Sequence, residues 1–200
     1  IGHPLFFGSR NQDKGERVAQ RLLPFLNKNS INVSDYASAS KAADIIILTV
    51  PFEAQAWTLE QMRPHAAGKI VISTIVPLVP SRPSEVHLPI NGSASISIQN
   101  ELGESAKVVS AFQNVAAHLL MDISLNLFCD VLVCGNCTKA CTTVIDLIQK
   151  IGLRGIYAGP LVNSVALETM TPLLIAINEH YHVDGAGLNI THGLNKKGLL

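Results

Sequence analysis

Ser9, Arg10 and Lys14 are the residues whose types and spacing point most directly to chemistry. They lie in the stretch LFFGSRNQDKGERVAQRLL, residues 5 to 23, where an apolar run ends at Gly8 and a helical pattern follows. Ser9 offers a hydroxyl and a backbone N–H, and Arg10 a planar fork that binds oxyanions bidentately. Lys14 falls in the first helical turn, beside the positive end of the helix dipole. Together they suit a phosphate group with three acceptor oxygens. In a dinucleotide-binding sheet the end of the second strand lies beside the adenosine ribose. There a carboxylate favours NAD, while cations favour the 2′-phosphate of NADP. The nearest carboxylate here is Asp13, beyond the strand end. The alternative reading of the same residues is a solvated Ser-Arg turn followed by a surface lysine.

No other constellation rivals this one. There is no Ser-His-Asp order with a strained nucleophile turn, and no paired carboxylates sit in an apolar setting. The expectation is therefore no catalytic side chain and no metal site. Histidines 65, 87, 118, 180, 182 and 192 are scattered, and His180 and His182 would point different ways on a helix. Cys129, Cys134, Cys137 and Cys141 have a spacing that also occurs in plant-type iron–sulfur proteins. The segment DVLVC between the first two is strand-like, however, and a strand would hold those sulfurs on the order of 16 Å apart. Reduced thiols are the expectation.

The elements that must position Ser9, Arg10 and Lys14 follow from composition and periodicity. Hydrophobic residues make up 48% of the 200-residue chain and charged residues 15%. That balance suits parallel strands covered on both faces, which read as continuous apolar runs. Strands are predicted at LFFGS, INVSD, IIILTV (45–50), KIVISTIV (69–76), AKVVSAF (106–112), DVLVCG, LRGIYAG and, at the end, GAGLNIT. Helices are predicted at DKGERVAQRLLPFL, SASKAAD, EAQAWTLEQMRPHA, 94–104, NVAAHLLM, TKACTTVIDLIQKIG and 163–181, the last containing Pro172. Four prolines make 77–92 a loop. This alternation predicts an α/β protein with a Rossmann-type, doubly wound, mostly parallel sheet and a smaller C-terminal α/β part. The boundary is expected near residue 120, between a larger domain over 1–120 and a smaller one over 121–200. The 15 basic residues balance 15 acidic ones without a basic stripe, so nucleic acid is not an expected partner. No apolar run approaches the ~20 residues of a membrane span, and no secretory signal is seen. The expectation is a cytoplasmic protein without a membrane segment.

Taken together, several segments resemble the NADPH-dependent coenzyme F420 reductases. They are GSRNQDK (8–14), ADIIILTVPFEA (43–54), GKIVISTIVPLV (68–79), KVVSAFQNVAA (107–117), DVLVCGN (130–136) and AGPLVNSVALETMTPLLIAIN (158–178). The middle segments are shared with the cytosolic domains of six-transmembrane metalloreductases, but 158–178 looks closer to the soluble enzymes. The resemblance implies NADP as cofactor and coenzyme F420 as second substrate. It assigns Ser9, Arg10 and Lys14 to the 2′-phosphate. Val50, Pro51, Phe52 and Ala56 would line the dinucleotide cleft, Val76 and Pro77 would lie near the nicotinamide ribose, and Val115 and Ala117 against the nicotinamide. The implied mechanism needs no acid or base. A hydride passes between stacked rings, and the protein supplies proximity, orientation and water exclusion. For the apolar positions the competing reading is plain core packing.

Three departures qualify the resemblance. The strand and Gly-rich turn that open such folds are not seen, no G-x-G-x-x-G occurs, and residue 1 is Ile. The expectation is an N-terminally incomplete sequence. Gln113 stands where His or Asn is commoner in relatives. The segment 118–129 has few polar groups for the polyglutamate tail of the deazaflavin. Two rival functions remain at this point: an NADPH-dependent flavin or ferric reductase using the same cleft, and a non-catalytic NADP-binding remnant. A homodimer through the apolar C-terminal helix is a further expectation.

Overall fold

The computed structural model of the protein describes residues 2–25, 31–121 and 128–191. Its strands are β1 (Leu5–Gly8), β2 (Ile31–Ser34), β3 (Ile45–Leu48), β4 (Ile70–Ser73), β5 (Lys107–Ala111), β6 (Asp130–Gly135) and β7 (Arg154–Tyr157). The helices are α1 (Gln12–Leu22), α2 (Tyr36–Ala42), α3 (Gln55–Met62), α4 (Ala94–Leu102), α5 (Thr138–Lys150) and α6 (Ser164–Tyr181). Side-chain caps set three of the helix starts. Asn11 accepts from the Lys14 amide, Asp35 from Ser38 and Ser93 from Ile96, each satisfying an N–H that the helix itself leaves free. α1 stops just before Pro24, which lies in a short 3₁₀ turn.

The strands fall into two sheets. β1 and β2 pair in parallel, while β3-β4-β5-β6-β7 form a second sheet in sequence order. Within the second sheet every pair is parallel except β5 with β6. The exception follows from the connection. A helix over NVAAHLLM was expected, but the described part of this segment holds only a 3₁₀ turn at Leu119–Met121. The described residues of this connection form no crossover helix, and the next strand runs the opposite way. α5 does provide a crossover, and β6 and β7 are parallel as a result. GAGLNIT is not a strand either. It forms a strap whose backbone bonds β6 at its start, the Asp130 amide donating to Leu188 (2.7 Å) and the Ile190 amide to the Asp130 carboxylate (2.6 Å), while Leu188 packs on the Leu132–Cys134 cluster.

Alternation of side chains builds the core. Val71 and Val108 face a cluster with Leu59, Met62 and Ile98 of α3 and α4. Ile72, Val109, Val131 and Val133 face the opposite cluster with Val144, Ile145 and Ile148 of α5. Leu132 and Cys134 return to the first face and meet Leu167 of α6. α6 corrects one sequence expectation. The stretch Leu161–Tyr181 has a mean hydropathy of 1.3 and is long and apolar enough to cross a membrane by length and composition. Its residues Leu167, Glu168 and Leu174 are nevertheless buried in the fold.

Asp130 anchors the C-terminal strap. It is 2% exposed and pairs bidentately with Arg154, Nε to Oδ1 at 2.5 Å and Nη2 to Oδ2 at 2.7 Å. Arg154 Nη2 also donates to the Ile190 carbonyl (2.8 Å). Burial alone would raise the Asp130 carboxyl, but the Arg154 hydrogen bonds and the Ile190 amide outweigh it and hold the group below the ordinary range.

Candidate functional site

Parallel register places the carboxyl ends of β3, β4 and β5 along one edge, with Leu48 opposite Ser73 and Ser73 opposite Ser110. Open α/β sheets bind ligands beyond such an edge. Val50, Pro51 and Phe52 follow β3 directly. Val50 and Phe52 lean on the core, while Pro51 and Ala56 are exposed. Beyond β4, Val76 is half-buried and Pro77 is buried, so Pro77 presents little surface to a ligand. After β5, Val115 packs against the α5-side core and Ala117 is exposed. These residues thus share one edge of the larger sheet.

Ser9, Arg10 and Lys14 belong to the smaller sheet. The Ser9 amide extends the β1–β2 ladder to the Ser34 carbonyl (2.9 Å). Its hydroxyl donates to the Asn11 carbonyl (2.8 Å) and accepts from the Asn11 amide (3.2 Å). This tight turn brings Ser9 beside the first turn of α1. Gly15 permits the approach, since a Cβ there would fall 2.6 Å from Val33 Cγ1 and 3.1 Å from Ser9 Cβ. The Arg10 and Lys14 side chains are exposed and form no hydrogen bond or ion pair among the described residues. Two unengaged cations therefore flank a capped helix N-terminus, the arrangement an anion requires. α2 connects this cluster to the larger sheet. It packs on β1 and against α3, where the Tyr36 and Trp57 rings meet edge to face at 5.6 Å.

The turn after β5, where the sequence singled out Gln113, also contains what sequence reasoning missed, the backbone of Phe112 and the bonds of Asn114. Phe112 has φ of +76°, a left-handed conformation that costs a non-glycine residue roughly 1–3 kcal/mol and clusters at functional sites. Gln113 is buried and donates through Nε2 to the Ser73 carbonyl (2.8 Å) and to Ser110 Oγ (2.9 Å). Its Oε1 and the neighbouring Ser73 Oγ are buried without a partner. Asn114, also buried, donates to the Asp130 carbonyl (2.6 Å) and accepts from the Leu132 amide (3.4 Å). Two amide side chains directly after a strand were the legible signal. The left-handed Phe112 left no trace in the sequence.

Glu168, Cys134 and Cys141 lie buried in the fold. Glu168 of α6 is buried at the N-terminus of α4, accepting from the amides of Ala94 (2.7 Å) and Ser95 (3.0 Å) and from Ser95 Oγ (2.8 Å). Burial pushes its carboxyl above the ordinary range, and those donors only partly offset the shift. Burial also pushes the thiol of Cys134 up to about 12 and that of Cys141 to about 11, far from the thiolate that metal binding or nucleophilic attack needs. β6 separates Cys129 from Cys134, and all four cysteines are free. His118 lies 3.2 Å from Asp184, the residue before the strap. Residues 122–127, within the segment considered for the polyglutamate tail, and His192 lie outside the described residues.

Comparison with known proteins now bears on this geometry. The family described as NADP oxidoreductase, coenzyme F420-dependent, matches residues 2–77. The F420-dependent NADP reductase of Methanocaldococcus jannaschii is 39% identical over 196 residues, covering 94% of this chain and 87% of that protein. The enzyme of the same name from Methanothermobacter thermautotrophicus is 32% identical, covering 96% and 85%. A crystal structure of a protein from Arthrobacter sp. FB24 has the same fold, with a TM-score of 0.81 at 21% identity, covering 96% of this chain and 90% of that one.

Proposed function

The chain belongs to the family of coenzyme F420-dependent NADP oxidoreductases, and on that premise we propose that it transfers a hydride between NADP(H) and the deazaflavin coenzyme F420. The observation that carries the NADP half is the pair of unengaged cations, Arg10 and Lys14, beside Ser9 at the start of α1. They fit a 2′-phosphate: both are exposed, and Asn11 rather than an acid caps the helix. Val50, Pro51, Phe52 and Ala56 would line the dinucleotide cleft, and Val76 and Pro77 would adjoin the nicotinamide ribose. Val115 and Ala117 form the apolar wall for the nicotinamide ring. The division of labour follows, with residues 1–120 holding the nucleotide and 121–200 completing the substrate side.

The bound nucleotide supplies the hydride: NADPH, oxidised F420 and one proton give NADP+ and reduced F420. The protein's own residues need not gain or lose a proton. Arg10 and Lys14 hold one end of the nucleotide. Val115 and Ala117 exclude water from the other, and the fixed turn that carries them sets the ring separation.

The test is NADPH oxidation by the purified chain with F420, a free flavin or a ferric chelate as acceptor. Reduction of F420 well ahead of the other two is expected. Preference for flavin or ferric iron would replace F420 as the substrate, and NADPH binding without turnover of any acceptor would make the chain a non-catalytic binder. The exposed residues Leu173, Ile177 and Tyr181 lie at i, i+4 and i+8 on α6, and a homodimer through this stripe is part of the same reading. Sedimentation at micromolar concentration should give twice the chain mass; a monomer would remove the dimer from the proposal.

A further inference from the structure

The hydroxyl of Thr171, on α6, donates to the Gln113 carbonyl at 2.7 Å. Its behaviour differs from that of its kind. Thr58, Thr142, Thr143 and Thr169 each return their hydroxyl to the carbonyl four residues back along the chain. That local bond is the usual choice for a helical threonine. Thr171 instead reaches across 58 residues to the backbone next to the left-handed Phe112.

The three residues after Phe112 are held from four directions. Gln113 is tied by its side chain to β4 and β5, Asn114 to β6, and the Val115 amide closes the turn onto the Phe112 carbonyl (3.2 Å). Thr171 supplies the one described side-chain restraint on this turn from outside the sheet. Its helix is itself fixed: Glu168, three residues earlier and on the same face, caps α4 with its buried carboxylate. A rigid strut therefore runs from the α4 N-terminus through α6 to the turn bearing Val115 and Ala117.

We propose that Thr171 is a positioning residue for hydride transfer, its hydroxyl fixing the height of the Phe112–Ala117 turn and so the placement of the Val115–Ala117 wall against the ring. The inference rests on the hydride-transfer reading above, but its mechanical half stands separately. Without the hydroxyl, the strained turn loses its outside restraint and the wall can relax. Because small displacements of reacting groups cost rate steeply, binding and chemistry should separate.

The experiment compares wild type, Thr171→Val and Thr171→Ser. It measures the NADPH dissociation constant, the single-turnover rate of hydride transfer to F420, and amide hydrogen exchange at Val115. Valine keeps the shape and removes the donor, whereas serine keeps the donor. For Thr171→Val we expect an unchanged NADPH dissociation constant and roughly tenfold slower transfer. Exchange at Val115 should be about tenfold faster, as local opening becomes easier. Thr171→Ser should restore both. A valine variant with wild-type transfer and exchange overturns the proposal. Equal impairment of both variants also overturns it, because packing rather than the hydroxyl would then be responsible. If the wild type transfers no hydride, the functional reading fails, and exchange at Val115 alone decides whether Thr171 holds the turn.

Discussion

Arg10→Ala is expected to weaken NADPH binding roughly 10- to 100-fold while leaving NADH binding unchanged, as judged by parallel fluorescence titrations. A hydrogen bond to a charged group contributes about 1.5–3 kcal/mol, and about 1.4 kcal/mol is a factor of ten. Arg10 is exposed and bonded to none of the described residues, so the substitution removes no internal partner among them. The loss should therefore appear only with the nucleotide that carries the extra phosphate. The residual NADPH preference would come from Lys14 and the α1 dipole, and it should shrink as salt rises. Equal loss for both nucleotides would mean Arg10 serves a part of the cofactor they share. No loss for either would make the Ser-Arg turn a solvated surface feature.

Asp130→Ala is expected to lower the unfolding free energy by about 3 kcal/mol, read from urea denaturation. Removing one member of a buried ion pair typically costs 3–5 kcal/mol. The lower end applies because the Arg154 side chain is 46% exposed and can rehydrate once its partner is gone. The Ile190 amide loses its acceptor at the same time, freeing the strap from the start of β6. The pH dependence has a definite sign. The carboxyl sits below its ordinary value of 3.8 in the folded protein, so its contribution is complete above that pH and is lost as pH falls through the lower folded value. Wild type should thus show an acid-induced loss that the alanine variant lacks. A change under about 1 kcal/mol would show that Asp130 and Arg154 merely neutralise each other's burial.

The sequence by itself determined the alternation of strands and helices and the gathering of a hydroxyl and two cations at the β1–α1 turn. Both are local. IIILTV is β-branched and ends at a proline, and Ser9, Arg10 and Lys14 lie within six residues, so periodicity and charge report them directly. Residues far apart in the chain decided the rest. The direction of β6 depended on whether the segment after β5 crosses back as a helix, and NVAAHLLM carries helical residues without forming one. The strap at GAGLNIT looked like a strand because its residues favour extended backbone, yet it meets β6 through one backbone bond, the Asp130 carboxylate and the packing of Leu188 rather than through a ladder. Most of all, the turn at Phe112–Val115 is assembled from β4, β5, β6 and α6, with its bonds spanning up to 58 residues. A left-handed phenylalanine and an outward-turned threonine hydroxyl cost free energy in isolation and persist only where distant elements hold them. Local composition thus set the residues offered at the β1–α1 turn, and tertiary packing decided the geometry of the turn after β5.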